Sequence, residues 1–227
     1  MSKTSGKTDG HLVLKDHDEV WPGLAHRVIH KGHVVTFVED DITSPSGERL
    51  TREMLSHPGS VAILALDENQ RVAVVHQYRH PVEMRLVELP AGLLDVAGEP
   101  PLDAAKRELA EEAGLAADDW RVLVDICCSP GITDEVGRIY LARHLKTVPP
   151  PGGFETRGEE VDMGLAWLSL DDLIAGIRAG QLHNLSLVLG VQALLLAMHD
   201  DAVESLRPGD TPWPLRDRVA GLKAGRN

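Results

Sequence analysis

Cysteine, positive charge and long apolar runs are all scarce in this 227-residue chain, and each shortage excludes something. The only two cysteines, Cys127 and Cys128, are adjacent. Neighbouring cysteines rarely bridge each other, so no disulfide framework is expected, and a reducing, cytoplasmic setting follows. Lys and Arg number 23 against 35 Asp and Glu, giving a net charge of −12 and a pI near 5.3. Proteins that bind DNA, RNA or anionic membrane surfaces recruit cations to neutralise phosphates, so none of these partners is expected. A small phosphorylated substrate stays open, because local charge or a bound metal overrides the total. The longest apolar run, residues 185–198, is interrupted by Ser186, Gly190 and Gln192. It is too short to span a bilayer and reads as a buried helix. Residues 1–10 are polar and lack the apolar centre of an export signal, so residues 1–9 read as a disordered tail. Gly6-Lys7-Thr8 imitates the end of a phosphate-binding P-loop, but the first glycine of that motif would fall on Met1.

What is present is ordinary globular material, 43% hydrophobic and 26% charged, enough for one large domain or a small and a medium one. Strand-like segments lie at residues 28–42, 50–55, 60–66, 71–78, 86–89, 120–128, 138–145 and 164–168. Residues 60–66 and 71–78, separated by Asp67-Glu68-Asn69-Gln70, read as a hairpin. Helices are expected at residues 102–113, ending on Gly114, and at 171–179 and 184–198. The prolines and glycines of residues 149–153 mark a loop, and Gly209 opens a loose tail. Strands that precede a central helix, then more strands and closing helices, argue an α+β fold without internal repeats. The expected division is residues 10–57 as a β-rich N-terminal region, 58–200 as the main domain and 201–227 as a C-terminal tail. Cys127 and Cys128 read as buried structural residues of a strand. Trp21 and Phe37 read as packing residues, and His30 and His33 as unlikely ligands.

One segment carries chemistry. On a helix of about 100° per residue, Glu108, Glu111 and Glu112 share an arc of roughly 100°, while Leu102, Ala105, Leu109 and Ala113 form an apolar stripe elsewhere. A solvated acidic face is the plain reading of such a pattern. Against it, Glu108 and Glu112 are like charges one turn apart, a repulsion that a cation between them would remove. Glu99 and Ala91-Gly92 lie just upstream with further oxygens. Several hard oxygen donors favour Mg²⁺ or Mn²⁺ over zinc.

The run Glu99, seven residues, then Arg107-Glu108-Leu109-Ala110-Glu111-Glu112-Ala113-Gly114-Leu115 resembles the Nudix box, G-x5-E-x7-R-E-U-x-E-E-x-G-U, with U aliphatic. Every fixed position from Glu99 onward is met. Upstream, six residues rather than five separate Gly92 from Glu99. Gln77-Tyr78-Arg79, Glu88-Leu89-Pro90-Ala91-Gly92, Ser129-Pro130-Gly131 and Asp134-Glu135 are similar to the ADP-ribose pyrophosphatase branch of that family.

The resemblance implies a Nudix fold, a mixed β-sheet sandwiched between helices (α/β/α) with a smaller β-rich N-terminal domain. It implies metal-dependent hydrolysis of ADP-ribose to AMP and ribose 5-phosphate. Two to three Mg²⁺ or Mn²⁺ ions per site would be held by Glu108, Glu112 and the Ala91 carbonyl, with Glu111 and Glu99 as further ligands. Arg107 would hold a box carboxylate in place, and Glu111 would assist catalysis. The glutamate-rich residues 155–162 (ETRGEEVD) stand where the branch carries a further catalytic glutamate, so Glu159, or else Glu160, is expected as general base. Substrate contacts are expected from Arg79, Arg52, Glu88, Gly92, Leu93, Ser129 and Gly131. A homodimer with swapped N-terminal regions is implied too. Alternatives are hydrolysis of another nucleoside diphosphate sugar, and a non-catalytic ADP-ribose-binding regulator, against which the intact box argues.

Overall fold

Strand β4 (Ser60–Ala65) is apolar at almost every position, as a strand covered on both faces must be. In the computed structural model, which describes residues 15–149, 151–152 and 163–225, it is a strand of a five-stranded mixed sheet. The sheet runs β11 (Arg207–Pro208), β8 (Leu115–Cys127), β9 (Val136–Thr147), β4, β7 (Ala91–Leu93). The β4–β9 pairing is parallel and the others are antiparallel. Alternate residues of β4 enter two cores. Val61, Ile63 and Ala65 meet helix α1 (Pro101–Ala113) through Ala105 and Leu109. Ala62 and Leu64 join Leu173 of α2 (Leu170–Arg178) and Leu187, Val191 and Leu194 of α3 (Leu185–His199). Helices thus cover both faces, and the fold class is the α+β sandwich expected.

The remaining strands build two smaller sheets. β5 (Arg71–Arg79) pairs with β10 (Gly164–Ser169) and β6 (Met84–Glu88). The N-terminal sheet is β1 (Gly23–Lys31), β2 (Thr36–Thr43) and β3 (Arg49–Ser56).

Several expectations need correction. Residues 28–42 are not one strand but parts of β1 and β2, folded at Gly32, whose N–H donates to the Val35 carbonyl at 2.9 Å. A Cβ at Gly32 would fall 2.9 Å from that carbonyl oxygen, so the turn needs glycine. Residues 60–66 and 71–78 do not form a simple hairpin. The chain reverses at Asp67, with a single Leu66–Val72 bridge, and the two strands then join different sheets. The C-terminal segment is not a loose tail over its described part. β11 pairs with β8, Trp213 is 4% exposed, and helix α4 (Pro214–Ala224) packs Leu215 and Val219 on the α1-side core. Fully buried Arg138 holds this segment. It donates to the carbonyls of Thr211 (2.7 Å) and Pro212 (3.3 Å), pairs with Asp125 (2.6 Å) and lies 4.7 Å over the Trp213 ring. Cys127 is exposed and Cys128 half-buried, because β8 ends there rather than continuing into the core.

Candidate active site

Helix α1 starts on Pro101, whose missing N–H costs a first-turn position nothing, and ends on Gly114 in the left-handed region at φ 61°. Its apolar stripe fixes its rotation on the sheet, which turns Arg107, Glu108, Glu111 and Glu112 toward a cleft of about 770 Å³. Strand β7 forms one wall with Ala91, Gly92 and Leu93, and the end of β5 and β6 brings Arg79 and Glu88.

Arg107 organises the carboxylates. Its Nη1 donates to Glu108 (2.7 Å) and Glu111 (3.0 Å), and its Nε and Nη2 reach both oxygens of Glu99 (3.0 and 3.1 Å). The Glu99 hydrogen bond first, then the charge of Glu108, lifts the guanidinium far above its ordinary pKa against the opposing effect of burial, so it stays charged. The extra residue before Glu99 is absorbed in a turn closed by Glu99 N–H to Val96 O (3.2 Å), with Gly98 at φ 79°. Glu99 therefore keeps its place beside Arg107. Glu112 accepts from the Ala91 N–H at 2.9 Å, tying the helix to β7. Glu108 lies so close over the next residue that a Cβ on Gly92 would fall 2.1 Å from its carboxyl carbon.

Glu99, Glu108, Glu111 and Glu112 outnumber the one guanidinium of Arg107 and leave an excess of negative charge on this side of the cleft. Hard oxygen donors from Glu108, Glu112 and the Ala91 carbonyl fit a divalent cation such as Mg²⁺ or Mn²⁺, and the glycine cradle at residue 92 gives Glu108 room to serve it. Among the described residues, however, no three His, Cys, Asp or Glu side chains converge as a ready-made cage. Three of the four carboxylates instead turn to Arg107, the cation at hand.

Arg79 and Glu88 form a bidentate pair (2.9 and 2.7 Å), with the Glu88 side chain 3% exposed. Glu88 is thus a support that aims the planar donors of Arg79. Arg52 and Gly131 are not in the cleft; they line a separate cavity of about 330 Å³ behind residues 129–135. Ser129 serves the turn there, its carbonyl accepting from the Ile132 and Thr133 N–H groups, both at 3.0 Å. Glu159 and Glu160 lie outside the described residues. Sequence reasoning named neither Ser60 nor His57 and gave Cys128 and Glu135 no place in the site, yet all four line the cleft. Ser60 donates to Glu135 at 3.0 Å. The Asp134-Glu135 pair was visible in the sequence, but nothing in its spacing told which of the two faces the cleft.

This sheet, helix and charge arrangement defines a Nudix hydrolase. A NUDIX domain model matches residues 56–186, and the chain belongs to that family. Within it the chain stands with the ADP-ribose pyrophosphatases. It is 41% identical to the ADP-ribose pyrophosphatase of Mycobacterium tuberculosis, over 94% of this chain and 99% of that one. The ADP-ribose pyrophosphatase of Bacillus subtilis is 30% identical over 76% and 91% of the two chains. The methanol dehydrogenase activator of Bacillus methanolicus is 35% identical over 74% and 89%. A solved ADP compounds hydrolase shares the fold at TM-score 0.67 and 18% identity, over 83% of this chain and all of that one.

Proposed function

We propose that this protein hydrolyses the diphosphate of ADP-ribose to AMP and ribose 5-phosphate with the help of Mg²⁺ or Mn²⁺. The observation that carries the reading is the cluster of Glu108, Glu111, Glu112 and Arg107, with Glu99 paired to Arg107, along a cleft that also presents Arg79. One water is consumed. Its oxygen bonds to one phosphorus, the bridging P–O bond on that phosphorus breaks, and the proton released passes to a carboxylate and on to solvent. Divalent cations, when bound, screen the diphosphate charge and acidify the attacking water. Glu108, Glu112 and the Ala91 carbonyl would hold them, two to three per site, with Glu111 and Glu99 completing the set. Arg107 keeps Glu108 and Glu111 oriented. Arg79, aimed by Glu88, offers two parallel N–H donors to a phosphate or ribose oxygen, while the Gly92 and Leu93 backbone forms the wall beside it. Proton acceptance falls to Glu159, with Glu160 second, in keeping with the branch resemblance of residues 155–162.

The deciding assay offers ADP-ribose, GDP-mannose, NADH and coenzyme A separately to the protein with Mg²⁺. Release of AMP from ADP-ribose is expected. Turnover of GDP-mannose without AMP from ADP-ribose would move the protein to another nucleoside diphosphate sugar. In the same assay Glu159→Gln should lose more activity than Glu160→Gln, and the opposite order would give Glu160 the base role. The protein is proposed to work as a homodimer through its N-terminal sheet, where Leu24, Val28 and Ile29 of β1 are each more than half exposed. Scattered exposed apolar residues are normal, and three on one strand support the reading of a contact surface there. No described helix is long and apolar enough to cross a membrane.

A further inference from the structure

The part of the cleft wall that carries His57 and Glu135 is held by helix α4, near the far end of the sequence. Residues 129–135 lie against the end of β3: Leu55 N–H donates to the Ile132 carbonyl (2.8 Å), and the Thr133 hydroxyl (2.9 Å) and Asp134 N–H (3.2 Å) donate to the Leu55 carbonyl. The His57 N–H then donates to Oδ1 of Asp134 at 2.8 Å. Lys223, on the last turn of α4, reaches the same two residues. Its Nζ donates to the His57 carbonyl and stands 3.3 Å from Oδ1 of Asp134. Asp134 faces away from the cleft, with Oδ2 buried and without a hydrogen-bond partner, so its charge leans on Lys223. The next residue, Glu135, faces the cleft together with His57.

We propose that Lys223 is a positioning residue for the catalytic cleft, acting through Asp134 and His57 to hold the cleft wall that carries Glu135 in its binding shape. α4 is fixed at its start by buried Trp213 and along its length by Val219, so the lysine is delivered to the lock by a rigid element. A side chain that shapes a binding wall acts on ground-state and transition-state complexes alike. Its loss raises KM and spares kcat. The proposal deepens the ADP-ribose reading and rests on it for the kinetic part. The structural part stands apart from the substrate.

The test compares wild type, Lys223→Met and Lys223→Arg by steady-state kinetics on ADP-ribose with Mg²⁺, and by amide hydrogen exchange without substrate. Lys223→Met is expected to raise KM about tenfold with kcat within about twofold. It should also speed exchange at residues 131–135 and leave that of α1 unchanged. Lys223→Arg, which keeps the charge and the reach, is expected to behave as wild type in both. Lys223→Met with wild-type exchange at residues 131–135 overturns the proposal. So does a variant whose kcat falls while KM holds, or a Lys223→Arg as impaired as Lys223→Met. If wild type fails to cleave ADP-ribose, the substrate reading fails, and the exchange comparison still decides whether the lock exists.

Discussion

Gly92 and Glu112 show how little tolerance the cleft has. Any side chain at residue 92 would collide with the Glu108 carboxylate, so Gly92→Ala should displace Glu108 and lower kcat by about 10²-fold or more, while Glu112→Gln should lower it by about 10²- to 10³-fold. Circular dichroism should find both variants folded; near-normal turnover in either would remove that residue from the catalytic arrangement. Cys128 makes a different prediction. Burial first, then the neighbouring charge of Glu135, pushes its thiol from 9.0 up to about 12. The thiolate is the reactive form, so Cys128 should resist iodoacetamide at pH 8 in the folded protein and react once it is unfolded. A thiol whose folded pKa is raised favours the folded state below about pH 9, and that stabilisation disappears as pH climbs toward 12. Peptide mapping after alkylation checks the first point and alkaline unfolding the second. That Glu108, Glu111 and Glu112 would share one side of helix α1 was legible from helical spacing. That Arg52 and Gly131 line another cavity was not, since Arg52 meets the loop of Gly131 from a strand far away in sequence.

At the level of elements, helix α1 was readable almost to the residue, because an apolar stripe at helical spacing, Pro101 at the start and Gly114 at the end all act locally. The reversal between β4 and β5 was not. A short polar linker between two apolar strands specifies a turn, but which sheet each strand joins depends on β9 and β10, more than 60 residues away along the chain. The N-terminal sheet makes the element-scale prediction. If β1 forms the dimer contact, Ile29→Asp places a charge in a desolvated interface and should shift the protein from dimer to monomer in sedimentation velocity. A wild-type protein that sediments as a monomer at micromolar concentration would remove the dimer from the account.

For the whole molecule, the C-terminal segment ties the parts together. It adds an edge strand to the large sheet, inserts Trp213 beside buried Arg138 and carries Lys223 back to the cleft wall. Trp213→Ala should cost about 3–5 kcal/mol, measured by urea unfolding, because it opens a cavity and strips the ring from a buried cation. A loss under about 1 kcal/mol would mean that the segment is an appendage after all. The sequence by itself determined the box helix, the arc of carboxylates and the apolar strands, since each of these follows from spacing within a few turns. Tertiary structure alone decided that Glu135 would face the cleft while Asp134 faces away, and that a polar-looking tail would dock. Those outcomes depend on contacts between distant segments, and the free energy of such contacts comes from packing and charge partners that local spacing does not record.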